Sequence, residues 1–277
     1  MMIKESWDGF KWYIEGGHDS VVLSKGELSV LKALYTIPCE TFVDVGSHVG
    51  YYAIRMAKRC KNVIAVEPNP KNREKLLKNT ELNALSNVKV IPYAIGEKRY
   101  TAKFWLAETS STLLRGYVSG EPIEVQVVPL DEVVDSADVI KIDVEAYEWN
   151  VLQGMPKLID KYKPSLIIEH HDFRGYKIND YHKIKSFLSS LGYIDIFLTS
   201  PHHLYYHKSK DLRLIKPLIA NHWIALCTIN MEQGRPWYYG LPYTWWYGMS
   251  FVDFLQEIPE HIFLPDEPAW IDNLLHQ

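Results

Sequence analysis

The sequence predicts a doubly wound α/β fold: a mainly parallel seven-stranded sheet with an antiparallel last strand, an inserted β-hairpin and an aromatic C-terminal tail. Three observations carry this. From residue 41 onward, short Val/Ile-rich runs alternate with stretches of helical period, and strands separated by helices are joined by right-handed crossovers into a parallel sheet. The first run, Thr41-Phe-Val-Asp-Val-Gly-Ser-His-Val-Gly-Tyr-Tyr52, breaks at glycines and leads into a helix, and the second, Val63-Ile-Ala-Val-Glu-Pro-Asn69, ends in a lone carboxylate. Nucleotide-binding sheets begin this way. Near the end, two runs are joined by a hairpin, which sets the final strand antiparallel to its neighbour.

Residues 10–14 and 21–23 read as a short strand pair around Gly16-Gly17, and 27–35 as a helix stopped by Pro38. Residues 1–40 thus form a lead-in packed on the main domain. That domain, residues 41–230, opens with strand 41–45, helix 51–59, strand 63–66, helix 70–82 and strand 88–91. Residues 102–107 and 123–128 read as the inserted β pair, joined by a Ser/Thr/Gly-rich loop, 109–120, whose start, 109–114, is either a lid or a connector. Strand 138–144, helix 149–162 despite Pro156, strand 165–169 and helix 183–191 follow. Strands 193–199 and 222–229 close the domain, joined by a turn holding His202, His203 and His207. No cysteine or acid lies at ligand spacing there, so these read as surface histidines rather than zinc ligands. Residues 231–277 form an extension of Trp and Tyr punctuated by Pro and Gly. Rings with polar tips suit a wall that packs inward or a homodimer contact.

Composition excludes several classes. A chain of 277 residues, 47% hydrophobic and 23% charged, suits a globular α/β domain. A net charge of -4 and pI near 6.3 give no basic face for nucleic acid. No run reaches membrane-spanning length without charge or proline. Cys39, Cys60 and Cys227 are scattered and odd in number, which reads as reduced thiols. The first residues carry acids where a signal peptide needs an apolar core, and the expected location is cytoplasmic.

The glycine turn points to a nucleoside ligand. Gly46 and Gly50 let the chain bend sharply with a ligand against its backbone. Glu67 can accept hydrogen bonds from both hydroxyls of a ribose. A dinucleotide fingerprint would have glycine where His48 stands, and Asp44 just before the turn repels a pyrophosphate yet attracts an ammonium. These features favour S-adenosyl-L-methionine over NAD. The plainer alternative is an ordinary strand and turn with Glu67 solvated.

Ligands of open α/β sheets sit beyond the carboxyl ends of the strands. That rule nominates Asp44, Glu67, Tyr93 with Ala94, Asp143 with Glu145, and Glu169 with His170 and His171. Asp44 and Asp143 would face the methionine end, and Gly46, His48, Gly50, Tyr52, Pro68 and Asn69 complete the expected cofactor wall. Methyl transfer from a sulfonium needs alignment and removal of the acceptor's proton. Glu145, Glu169 and His170 are the candidate bases. Glu145 could instead cap the next helix, and His170-His171-Asp172 could be a polar loop start. A divalent ion on Asp143, Glu169 and His170 ranks below the metal-free route.

Asp44-Val-Gly, Gly50-Tyr-Tyr, Glu67-Pro-Asn-Pro70, Leu82-Asn83, Leu130-Asp131 and Ile140-Lys-Ile-Asp-Val-Glu145 resemble the FkbM family of S-adenosylmethionine-dependent methyltransferases, from about Thr41 to His170. The family usually has glycine after that glutamate and often asparagine at the position of His48; here Ala146 and His48 stand there. The resemblance implies a Rossmann-like methyltransferase fold, ribose binding by Glu67 and an adenine border at Tyr93, Ala94 and Ile95. The expected activity is methylation, at oxygen, of a small-molecule or sugar-bearing acceptor. A nicotinamide-dependent oxidoreductase, or a non-catalytic scaffold keeping the fold, is the alternative.

Overall fold

The computed structural model describes residues 2–218 apart from 17, 26, 108–110, 116–119, 172–179, 200 and 217. Strand β1 (Met2–Glu5) pairs antiparallel with β2 (Lys11–Ile14). The strand expected at 21–23 lies instead in a 3-10 turn, His18–Leu23. Its cause is Asp19, whose carboxylate accepts the Glu15 and Gly16 amides at 2.8 and 3.2 Å and a hydrogen bond from Lys75 Nζ, drawing the chain into a turn. Helix α1 (Leu28–Thr36) follows.

The main sheet begins with β3 (Thr41–Val45), α2 (Tyr51–Met56), β4 (Asn62–Val66), α3 (Pro70–Leu82) and β5 (Val88–Ile91). An insertion comprises β6 (Ala94–Ile95), β7 (Tyr100–Trp105) and β8 (Pro122–Val128), a separate three-stranded sheet in the order β6-β8-β7. Then come β9 (Val139–Ile142), α4 (Glu148–Gln153), α5 (Pro156–Tyr162), β10 (Ser165–Glu169), α6 (Tyr181–Ser190), β11 (Tyr193–Thr199) and β12 (His202–His207). The strand order is β11-β12-β10-β9-β3-β4-β5, and β12 runs antiparallel to both its neighbours. This is the doubly wound sheet with one reversed strand that the sequence predicts.

Two elements differ from expectation. The reversed strand is the histidine-rich segment at 202–207, not 222–229, which lies outside the described residues. Its rings fill space: Tyr205 and Tyr206 are buried, Tyr206 Oη donates to the Asp211 carbonyl at 3.1 Å, and His202 is 3% exposed. The polar letters therefore hide a core strand, and the histidines are not on the surface. The helix expected at 149–162 is two helices, because at Gly154 a Cβ would fall 2.1 Å from the Gly96 carbonyl oxygen and Pro156 restarts the helix at its first turn. The aromatic tail and Cys227 lie outside the described residues.

Cys39 and Cys60 form a disulfide, which corrects the reduced-thiol reading for this pair and removes one support of a cytoplasmic location. Among the described residues no helix is long and apolar enough to cross a membrane.

The central strands β3, β9 and β10 are covered on both faces, so the neighbours Phe42 and Val43, Val139 and Ile140, and Leu166 and Ile167 are all buried. The glycine turn after β3 is pressed against β9. Gly46 has φ +86°, and a Cβ there would lie 1.7 Å from the Asp143 carbonyl oxygen. Gly46→Ala is therefore expected to destabilise the fold by at least about 1 kcal/mol from backbone conformation alone, with more from displacing residue 143. Thermal unfolding should read this as a midpoint lowered by at least about 2–4 °C; an unchanged midpoint would contradict the described close approach.

Candidate active site

A cavity of about 250 Å³ opens past the carboxyl ends of β3, β4, β9 and β10. Gly46, His48, Tyr52, Glu67, Pro68, Tyr93, Ala94, Ile95, Asp143, Glu145 and Glu169, all nominated from sequence, line it. Glu67 is held from two sides. Its Oε2 accepts the His48 amide and its Oε1 the Asn69 amide, both at 2.8 Å, which leaves a further lone pair on each oxygen for a ligand hydroxyl. Burial pushes its carboxyl up to about 7, against the opposing pull of those amides and Arg73.

Three expected cofactor residues stand behind this wall rather than in it. Asp44 accepts the Ala53 amide at 3.1 Å and so braces α2; burial pushes it up to about 6. Gly50 is the left-handed N-cap of α2, and Asn69 caps α3 by accepting the Lys71 amide at 3.0 Å. Each has a local structural role.

The sequence reading missed several wall residues, two of them with a polar role. The Ser47 and Tyr51 hydroxyls are buried without a hydrogen-bond partner, and both residues line the cavity. Buried polar groups are nearly always bonded, so orphaned hydroxyls facing a cavity beside Glu67 fit a polar nucleoside ligand. Ser47 lies between the two glycines, which was the available signal. Glu27, from α1, also lines the cavity and accepts a hydrogen bond from Tyr52 Oη.

The carboxylates gather where β9 and β10 end side by side, in parallel register with Ile142 opposite Ile168. Lys141, buried, reaches Asp143 Oδ2 at 2.8 Å and Glu169 Oε2 at 3.3 Å. Burial alone would lower the Lys141 ammonium, but Asp143 and Glu169 outweigh it and raise it. Asp143 is raised by burial and by the charge of Glu169, while Glu169, which burial would also raise, is held low by Lys141, His171 and His202.

His171 sits among these acids. Its Nδ1 is 2.9 Å from Glu148 Oε1, and its Nε2 is 3.3 Å from Glu145, 3.4 Å from Glu169 and 3.8 Å from Asp143. Burial would lower it, but its bonds to Glu148 and Glu169 push it up to about 11. His170, named as a candidate base, faces the other way. Successive residues at a strand end alternate sides, and the His170 Nε2 meets Tyr205 Oη at 2.9 Å with its ring edge-on to Tyr181 and His203. Burial pushes it down to about 3. It does not line the cavity, so the expected ion set of Asp143, Glu169 and His170 is not assembled either; Asp172 lies outside the described residues.

Glu145 is not the N-cap of α4, a place taken by Tyr147. Glu145 and Ala146 both adopt left-handed conformations, φ 54° and 71°, which is why glycine would be at ease at 146. The turn is clamped from both sides: Ala146 donates its amide to Glu148 Oε1 at 3.1 Å, and the Glu145 carbonyl accepts Thr112 Oγ1 at 2.7 Å. Thr112 belongs to the insertion, whose Phe104, Ser111 and Leu113 complete the cavity wall. Thr109, at the start of the proposed lid, lies outside the described residues.

The Methyltransferase FkbM domain matches residues 44–194. A hexuronic acid methyltransferase, AglP, of Haloferax volcanii is 27% identical over 154 residues, which are 53% of this chain and 63% of that protein. This chain therefore spans less than two thirds of that relative's length. Among solved structures, an FkbM methyltransferase from Methylobacillus flagellatus KT is similar with a TM-score of 0.45 and 21% identity, over 60% of this chain and 43% of that one. A ribosomal protein L11 methylase from Lactobacillus delbrueckii subsp. bulgaricus gives 0.40 and 18%, over 64% and 73%. The matched segment 44–194 takes in the glycine turn, Glu67 and the carboxylate cluster and makes up more than half of the sequence: this chain belongs to the FkbM methyltransferase domain family.

Proposed function

We propose that this protein is an S-adenosyl-L-methionine-dependent methyltransferase acting on a hydroxyl of a small-molecule or sugar-bearing acceptor. The observation that carries the reading is a single cavity with Glu67, pinned by two amides, in one part of its wall and Asp143, Glu145 and Glu169 in another. Family membership supports the activity, and the hexuronic acid substrate named for the Haloferax relative supports a sugar acid as acceptor.

In this reading Glu67 holds the ribose hydroxyls, Ser47 and Tyr51 supply donors, and Tyr93, Ala94 and Ile95 border the base. The bound cofactor supplies a sulfonium methyl, open to in-line attack without protonation of its leaving group. The chain's own task is to align the acceptor and take its proton. We assign that task to Glu169, a cavity-lining carboxylate that Lys141, His171 and His202 approach on three sides.

Transfer of a labelled methyl group to a panel of neutral sugars and uronic acids tests this. Glu169→Gln should lower turnover about 10²–10⁴-fold while leaving affinity for S-adenosylhomocysteine unchanged. Lost cofactor binding in that variant would put Glu169 in the wrong role.

The raised Glu67 carboxyl gives a pH signature. Below about 7 it carries a proton that must leave before both oxygens can accept ribose hydroxyls, so affinity falls as pH falls. Calorimetry should find S-adenosylhomocysteine bound about tenfold more weakly at pH 6 than at pH 8. Tighter binding at pH 6 would mean that Glu67 acts as a neutral donor.

A further inference from the structure

We infer that Asp143, Glu145 and His171 form a site for a divalent metal ion of the Mn²⁺ or Mg²⁺ kind, placed to bind the acceptor hydroxyl beside Glu169. The ion's use in catalysis rests on the methyltransferase reading; its binding does not.

One oxygen of Asp143, one of Glu145 and a ring nitrogen of His171 lie within 4.8 Å of one another. Ligands at right angles around such an ion stand about 3 Å apart. The His171 Nε2 is already 3.3 Å from Glu145 Oε2 and 3.8 Å from Asp143 Oδ1, so side-chain shifts on the order of 1 Å would close the set.

The ring is also aimed. Glu148 holds Nδ1 at 2.9 Å, which leaves Nε2 to face the acids, and an ion there takes the place of the Nε2 proton, which leaves to solvent. A carboxylate behind a histidine is the usual support of a metal-binding imidazole.

A second observation comes from another strand. His202, on β12, is 3% exposed and neither ring nitrogen makes a well-formed hydrogen bond, yet its Nε2 points at Glu169 Oε2 from 3.0 Å. Four carboxylates, those of Asp143, Glu145, Glu148 and Glu169, therefore share Lys141 and two imidazoles. Two carboxylate oxygens and one imidazole nitrogen leave the remaining positions of an octahedral ion for water or acceptor oxygens, and that donor set suits Mn²⁺ and Mg²⁺. An ion there would acidify the acceptor hydroxyl. The O–H bond breaks with its proton passing to Glu169, the new C–O bond forms, and the sulfonium S–C bond breaks.

Titration of Mn²⁺ into the full chain, with free Mn²⁺ read by electron paramagnetic resonance, tests the site without any turnover. The expected result is saturable binding of one Mn²⁺ per chain, displaced by Mg²⁺, and weakened at least about tenfold in Glu145→Gln and His171→Asn. Should His171→Asn fail to fold, Glu148→Gln, which keeps an oxygen to accept the Ala146 amide but no longer a carboxylate behind the ring, should still weaken binding about tenfold. No saturable binding by the folded wild type, or unchanged binding in the folded variants, overturns the inference. Calorimetry with S-adenosylhomocysteine on the same samples separates the two claims. Mn²⁺ binding without nucleoside binding would leave the metal site standing and remove the cofactor reading, and the reverse pattern would do the opposite.

Discussion

Glu67→Ala is expected to weaken S-adenosylhomocysteine binding at least about 100-fold. A hydrogen bond to a charged acceptor contributes about 1.5–3 kcal/mol, and a ribose diol makes two to one carboxylate, so the pair amounts to about 3–6 kcal/mol. At 1.4 kcal/mol per decade this spans about 10²–10⁴ in Kd. The effect is large because the carboxylate is preorganised: His48 and Asn69 hold both oxygens before any ligand arrives, so little ordering remains. Glu67→Gln keeps one acceptor oxygen and should fall between wild type and alanine. Isothermal calorimetry distinguishes the three. Equal binding by wild type and Glu67→Ala would remove the ribose assignment and with it the cofactor reading.

Arg55→Ala should be the most damaging single change to stability, at about 3–5 kcal/mol. Arg55 is fully buried on α2. Its Nε and Nη2 reach the two oxygens of Asp8 at 2.6 and 3.2 Å, Nη2 also donates to the Val22 carbonyl and Nη1 to the Tyr51 carbonyl, both at 3.0 Å. The guanidinium lies 4.2 Å from the Tyr51 ring centre and 5.0 Å from that of Trp12. Truncation leaves Asp8 nearly buried without its partner and opens a void between rings. At about 2–4 °C per kcal/mol, the midpoint should drop by about 6–20 °C. Arg55→Lys should rescue little, since a point charge cannot reproduce the planar fork or its stacking. Because Tyr51 lines the cavity, cofactor affinity should fall in the same variant even where it remains folded. A loss below about 1 kcal/mol would show that the lead-in is not anchored through this residue.

Much of this was legible from sequence. Strands β3, β5, β10 and β11 and helix α3 have the bounds that apolar runs between Gly, Pro and Asn predict. Glu67 and the carboxylates of 143, 145 and 169 could be nominated because strand ends in a parallel sheet converge on one edge. The misplacement of His170 is a parity error: Glu169 and His171 are two apart and share a side, so the strand's own period pointed to 171. The disulfide was similarly available, since Thr41 pairs with Asn62 and the residues just before these two strands lie side by side. Strand β12 was hard to see because histidine and tyrosine are polar letters whose rings are nonetheless good core, once each tip has a partner. The role of Lys141 was hidden for a related reason. A lysine inside an apolar strand reads as an exception to the pattern until two acids are known to meet it.

The clamp between Thr112 and the Glu145 carbonyl has an evolutionary consequence. The cavity has two kinds of wall: one made by the ends of a sheet that cannot change without losing the fold, the other by an insertion tied to the turn after β9 through hydroxyls that include those of Thr112 and Tyr100. In the proposed reading, descendants of such a chain can exchange Phe104, Ser111 and Leu113, altering which acceptor fits, while Glu67, Ala94 and Ile95 continue to hold the same nucleoside. The requirement on each replacement is modest: it must keep the hydroxyls of Thr112 and Tyr100, so that Glu145 and Ala146 stay in their strained turn. Acceptor choice can therefore drift quickly under an unchanging chemistry.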